Sequence, residues 1–242
     1  MISVATLTYG RTPLLEEAIE SFLRQSHPDK QMVVFNSLTS QRIEFAHPLV
    51  KIINSPVRPS TLGETRNLCI EHCDGELIAV MDDDDIISRW YLAWLAARIG
   101  DLDWIRQGSK FTIRAGKVDR LGGAANNQLF LRKDAWKKVG GYPHVNSGED
   151  VGFTKLLIQK TRGKTIACEP REAGFIYRFA IGYANISACG RDQAGRPTGM
   201  EMCERRLRQR PTPKGRIVLH PGWRMDYEAM TRKWLRENGF AT

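Results

Sequence analysis

The chain has 242 residues, 42% of them hydrophobic, which is enough for one large domain or a domain with an appended lobe. No run approaches the ~20 consecutive apolar residues of a membrane span, so no transmembrane segment is expected. The net charge of +9 is uneven: residues 171–242 carry 14 Lys/Arg against 7 Asp/Glu, whereas residues 1–170 carry 22 against 20. Such a basic end predicts an anionic partner (donor phosphates, an anionic glycan, a membrane surface or nucleic acid) or else a solvated basic face.

The first hundred residues alternate between strand and helix patterns. Residues 2–8 form a near-continuous apolar strand, as expected where both sheet faces are covered, and they read as a first strand, not as a secretion signal. Thr12 is placed to cap a helix with Pro13 in its first turn. Leu14/Leu15, Ala18/Ile19 and Phe22/Leu23 give that helix one apolar face. Strands follow at 31–35 and 50–53, a helix at 61–73, a strand at 77–81 and a Trp-rich helix at 88–99. This order predicts a parallel, doubly wound sheet, in which ligands sit beyond the carboxyl ends of the strands.

After residue 100 the pattern shifts. Residues 104–112 and 117–121 read as a β-ribbon around Ala115-Gly116, and 127–132 as a strand. A short helix at 134–139 ends at Gly140-Gly141. A helix at 149–159 and a strand at 165–168 come next. Residues 182–222 are rich in Gly, Pro and Arg and read as a long functional loop segment. Residues 226–238 predict a terminal amphipathic helix. We therefore expect a core over 1–180 and a basic extension over 181–242 packed on the same domain. The five cysteines (Cys69, Cys73, Cys168, Cys189, Cys203) form no Cys-x-x-Cys pair, and their odd number points to a reducing, cytoplasmic setting.

The most informative chemistry lies at Asp82-Asp83-Asp84-Asp85, directly after the apolar run ending at Met81. Like charges crowded at a strand end are costly unless a cation neutralises them. Hard dications take oxygen ligands, and Mg2+ is commonly shared between carboxylates and substrate phosphates. The predicted site is a metal–diphosphate site; a solvated acidic turn entering the next helix is the alternative.

Four segments, in order, resemble inverting glycosyltransferases of the GT-A fold in the large family 2, over about residues 2–177. Thr6-Leu7-Thr8-Tyr9-Gly10-Arg11 is similar to that family's base- and ribose-contacting segment. Gly63-Glu64-Thr65-Arg66-Asn67 resembles a second motif, in which Arg66 contacts the pyrophosphate or pairs with an aspartate. Met81–Asp85 resembles the strand-ending acidic motif. Gly140-Gly141-Tyr142-Pro143 with Gly148-Glu149-Asp150 resembles the fourth.

The resemblance implies an α/β GT-A fold, a Rossmann-like mixed sheet flanked by helices with an extended C-terminal segment. It implies a nucleotide-diphospho-sugar donor and Mn2+ or Mg2+. Donor contacts would fall on Thr8, Tyr9, Arg11, Asn36, Arg66, Asp82 and Asp83, and metal ligation on Asp84, Asp85 and His220. Asp150 would be the base that takes the acceptor proton, with Glu149, Tyr177 and Arg178 on the acceptor. The acceptor is anionic or polyhydroxylic: a glycan, a lipid-linked glycan or a hydroxymethylated DNA base. Trp90, Trp94 and Trp104 either stack on a sugar or pack the core. A nucleotidyltransferase and a catalytically inactive module that binds nucleic acid are the competing readings.

Overall fold

The computed structural model describes residues 1–179 and 213–240. The chain runs β1 (Ile2–Thr8), α1 (Thr12–Leu23), β2 (Lys30–Asn36), β3 (Gln41–Glu44), β4 (Val50–Asn54), α2 (Leu62–Glu71), β5 (Leu77–Val80), β6 (Ile86–Ile87) and α3 (Tyr91–Ile99). It continues as β7 (Trp104–Gln107), β8 (Ser109–Arg114), β9 (Lys117–Gly123), β10 (Phe130–Arg132), α4 (Lys133–Val139), α5 (Glu149–Lys160), β11 (Gly163–Ile166) and β12 (Phe175–Phe179). Beyond the undescribed stretch come β13 (Gly215–Val218) and α6 (Tyr227–Glu237).

Seven strands form the central sheet in the order β11-β7-β10-β5-β1-β2-β4. Its pairs are parallel except at β10, which runs antiparallel to both β5 and β7. The parallel sheet expected from the first hundred residues is thus a mixed sheet once the second half is added. Because successive side chains point to opposite faces, β1 and β2 feed two cores. Ile2, Val4, Met32 and Val34 pack with α1 and α3 through Leu15, Ile19, Phe22, Leu92 and Leu95. Ala5, Val33 and Phe35 pack on the other face with Cys69 and Ile70 of α2 and Phe153 and Leu157 of α5.

The expected single strand over 104–112 is two strands in two sheets. Gly108 marks the break: a Cβ there would lie 2.9 Å from the Ile166 carbonyl oxygen, which accepts the Gly108 N–H. Past it, β8 joins a four-stranded sheet, β6-β12-β8-β9. Phe111 and Ile113 of β8, Ile86 and Ile176 form a third core with Tyr227 and Leu235 of α6. The terminal helix predicted from periodicity is present and is capped by Asp226, which accepts the Ala229 N–H. β13 pairs in parallel with β3. Four short strands (β3, β6, β12 and β13) had no periodic signature long enough to find. Trp90 and Trp94 bond to Glu172 and Trp104 lies beneath Gly163, so all three serve packing.

Candidate active site

The acidic loop leaves the carboxyl end of β5 and turns at once, with the Asp85 N–H on the Asp82 carbonyl oxygen at 3.1 Å. The turn sorts the four carboxylates into two groups. Asp82, Asp84 and Asp85 each offer an oxygen, and these oxygens lie within 4.8 Å of one another. Asp83 points away, accepting hydrogen bonds from Thr8 Oγ1 at 2.7 Å and from Arg11. Burial, together with Asp84 and Asp82, pushes the Asp85 carboxyl well above the usual carboxylate range. Its Oδ1 is buried without a hydrogen-bond partner among the described residues. For Asp82, burial opposes ionisation, but Arg66 outweighs it and holds that carboxyl below its ordinary value. One ionised carboxylate, a second in reach, and a buried orphan oxygen between like charges are the donor set that a hard dication fits.

Two arginines organise this loop. Arg11, expected just outside α1, is its N-cap residue, and Thr12 opens the helix instead of capping it. The Arg11 guanidinium runs into the loop, donating to Asp84 Oδ2 at 2.7 Å and pairing with Asp83. Arg66 on α2 donates to Asp82 Oδ1 at 2.9 Å and to Glu149 Oε1 at 3.1 Å. Both alternatives for Arg66 thus fall at one place: it is ion-paired, and it also lines the cleft.

The glycine motifs act by close approach. A Cβ on Gly63 would lie 1.8 Å from the Pro143 carbonyl oxygen, so only glycine lets α2 meet the segment before α5. Asn67 clasps the same segment. It donates to the Tyr142 carbonyl at 2.9 Å and accepts the Tyr142 N–H at 2.7 Å. Gly141 sits at φ 76° with its missing Cβ only 2.6 Å from Asn67 Oδ1. The second and fourth motifs are therefore one docking joint, and it carries Glu149 and Asp150 to the acidic loop.

The joint and the loop border a cleft of about 580 Å³. Thr8, Tyr9, Arg11, Arg66, Asp82, Asp84, Glu149, Asp150 and Tyr177 line it, as expected of site residues. Glu149 is buried against Arg66, and burial raises its carboxyl pKa. Asp150 is half-buried, and its Oδ1 accepts the Val151 N–H at 2.8 Å.

Several expected contacts lie elsewhere. Asn36 is buried at the end of β2, donating to the Gln41 carbonyl and to Asn54 Oδ1, both at 3.0 Å; the neighbouring Ser37 reaches the cleft in its place. Asp83 is turned to Thr8 and Arg11 and does not line the cleft. Arg178 is buried beneath the acidic loop, not beside an acceptor. It donates to the Asp84 carbonyl at 2.6 Å, Glu17 Oε2 at 2.6 Å and the Tyr227 hydroxyl at 3.0 Å. A strand alternates faces, so Tyr177 and Arg178 could not both face the cleft. His220 is exposed, its backbone N–H held by Glu16, and it stands outside the carboxylate group. The dense arginines at 205, 206, 208 and 210 lie outside the described residues.

Other cleft residues escaped the sequence reading: Lys110, Thr112, Arg114 and Arg120 on the β8–β9 hairpin, and Asn127 before β10. Asn127 Nδ2 bridges Asp82 at 3.0 Å and Asp85 at 3.1 Å. The 110/112/114 alternation against buried Phe111 and Ile113 was the available signal, but it marks a face without naming what that face meets.

Residues 3–105 match the family model for glycosyl transferase family 2. YwdF of Bacillus subtilis (strain 168), named an uncharacterized glycosyltransferase, is 24% identical over 113 residues, which is 45% of this chain and 42% of that protein. The structure of Staphylococcus aureus TarS residues 1–349 with UDP-GlcNAc superposes with a TM-score of 0.62 at 16% identity, covering 77% of this chain and 60% of the other. The mannosyltransferase PcManGT of Pyrobaculum calidifontis with GDP-Man and Mn2+ gives 0.54 at 16% identity, covering 77% and 59%. The chain thus spans less than two thirds of each of these proteins. The sheet, the strand-ending carboxylates and the cleft define a GT-A fold. Within that fold, residues 3–105 resemble glycosyl transferase family 2.

Proposed function

We propose that the chain transfers a sugar, with inversion, from a nucleotide-diphospho-sugar to an acceptor hydroxyl. One observation carries this reading: the acidic loop and Asp150, more than sixty residues apart in sequence, border a single cleft beside Tyr9 and Arg66. A dication on Asp82, Asp84 and Asp85 would supply positive charge against the diphosphate, most valuable as the leaving group departs. Mn2+ accompanies GDP-Man in PcManGT, and UDP-GlcNAc occupies TarS, which supports a sugar nucleotide here.

The chain's own groups do the rest. Tyr9 offers a ring face for the base, and Thr8 and Arg11 fix the loop that the diphosphate meets. Arg66, already shared between Asp82 and Glu149, ties the donor side of the cleft to the acceptor side. Asp150 sits in the first turn of α5, where the helix dipole favours an ionised carboxylate. From there it accepts the proton of the attacking hydroxyl. Glu149, its carboxylate engaged by Arg66, orients rather than reacts.

The cytoplasmic setting belongs to the same reading: Cys69 and Cys73 are buried free thiols. Among the described residues no helix is long and apolar enough to cross a membrane. The test is a screen of nucleotide sugars for Mn2+-dependent thermal stabilisation, followed by product analysis. Release of a nucleoside diphosphate supports glycosyl transfer; release of pyrophosphate would make the chain a nucleotidyltransferase and overturn the reading.

A further inference from the structure

The wall of the cleft facing the acidic loop is cationic, and the reading above uses none of it. Phe111 and Ile113 turn into the third core, so Lys110, Thr112 and Arg114 share the opposite face of β8. Arg120 on β9 stands directly across from Thr112 and so diagonal to Lys110; past a register shift at Thr112/Ile113, Arg114 pairs with Lys117. Three cations therefore crowd one face of a two-stranded ribbon, and all three line the cleft. Like charges so placed repel. Asp119 lies 3.8 Å from Arg114, Lys110 donates to the neutral Gly123 carbonyl and is attracted by Asp85, and Arg120 makes no ion pair among the described residues. Partial burial and then Arg120 lower the Lys110 pKa, with Asp85 pulling the other way. A wall of three basic side chains along the cleft is suited to an incoming anion.

We propose that the β8–β9 hairpin binds an anionic group, phosphate or carboxylate, carried by the acceptor next to the hydroxyl that Asp150 deprotonates. The inference rests on the glycosyl-transfer reading and narrows its acceptor class. An anionic acceptor must approach a cleft bordered by Asp82, Asp84, Glu149 and Asp150, and this wall offsets that repulsion. Arginine suits the role, because its planar fork matches the oxygens of either anion.

The test compares the wild-type chain with Lys110→Gln/Arg114→Gln/Arg120→Gln and with Arg205→Ala/Arg206→Ala/Arg208→Ala. Binding of inorganic polyphosphate and of polygalacturonate is measured at low salt with Mn2+ and UDP or GDP present. The proposal expects about a tenfold loss with the hairpin variant, as three partly exposed contacts allow. Mn2+-dependent nucleotide binding should persist, showing that the fold and donor side are intact. Loss for polyphosphate alone identifies phosphate as the group, and loss for polygalacturonate alone identifies carboxylate. Unchanged polyanion binding, or loss only in the 205–208 variant, overturns the proposal. So does a matching loss of nucleotide affinity, which would hand the hairpin to the donor. The single change Arg120→Gln, at an exposed side chain, should lose about threefold and guards against misfolding of the triple variant. If the wild type binds no nucleotide with Mn2+, the glycosyl-transfer reading fails, while the polyanion comparison still decides the hairpin site.

Discussion

At the residue scale, the four consecutive aspartates are not equivalent, and the turn that separates them makes the difference. Asp82, Asp84 and Asp85 converge, while Asp83 is spent on Thr8 and Arg11. A ligand present at a hundred times its Kd adds ~2.7 kcal/mol to stability. Asp84→Ala should abolish the increment that Mn2+ with a sugar nucleotide gives in thermal unfolding; an undiminished shift would place the ion elsewhere. Asp150→Asn should leave that increment intact yet slow transfer by about 100- to 10,000-fold, the usual worth of a general base. Full transfer by this variant would remove Asp150 from the reaction. The Asp82–Asp85 cluster stood out in the sequence because its charge marks it, whereas Asp150 was singled out only through the family resemblance. The roles of Asp83 and Asn36 were not legible, since nothing in a residue's identity says which way a strand end turns it.

Elements meet the site through two joints. In the first, α2 touches the segment leading to α5 so closely that Gly63 has no room for a methyl group. Gly63→Ala should cost roughly 1–3 kcal/mol through forced displacement, read as a lower Tm, and should slow transfer because Glu149 and Asp150 shift with the helix. In the second, Arg178 of β12 holds the backbone of the acidic loop from below. Replacing it by Met leaves Glu17 buried without its cation, an expected loss of about 3–5 kcal/mol. Arg178→Lys keeps the charge but not the fork of donors, so it should weaken Mn2+ binding more than it lowers Tm; equal behaviour of the two variants would make the role purely structural. Away from the site, Glu172 is held below the usual carboxylate range by the Glu169 N–H, with Trp94 and Arg98 assisting. A carboxyl depressed by folding stabilises above its unfolded pKa and loses that contribution as pH falls through the folded one. Glu172→Gln should therefore flatten the acid limb of a Tm–pH profile, leaving the neutral region little changed in slope.

For the whole molecule, residues 215–218 and 227–237 pack into the fold. β13 extends β3, and α6 completes the third core. The Tyr227 hydroxyl and the Arg224 N–H both reach Glu17 Oε1, at 2.9 and 3.0 Å, so α6 closes the buried network that carries Arg178. Tyr227→Phe should lower stability by about 1–2 kcal/mol and broaden the metal response, measured by Mn2+ titration.

Local pattern in the chain was enough for the main alternation of strands and helices through residue 100, the terminal helix and the acidic loop, while Arg66 was left open between a pyrophosphate contact and an ion pair. Those first three are written locally, in hydrophobic period, in turn chemistry or in charge. Tertiary structure alone decided the antiparallel insertion of β10, the division at Gly108 and the burial of Arg178. It also set the cationic hairpin opposite the carboxylates. Those depend on pairings between residues far apart in the chain, where closing the loop and packing the partner fix the outcome and no local pattern records it.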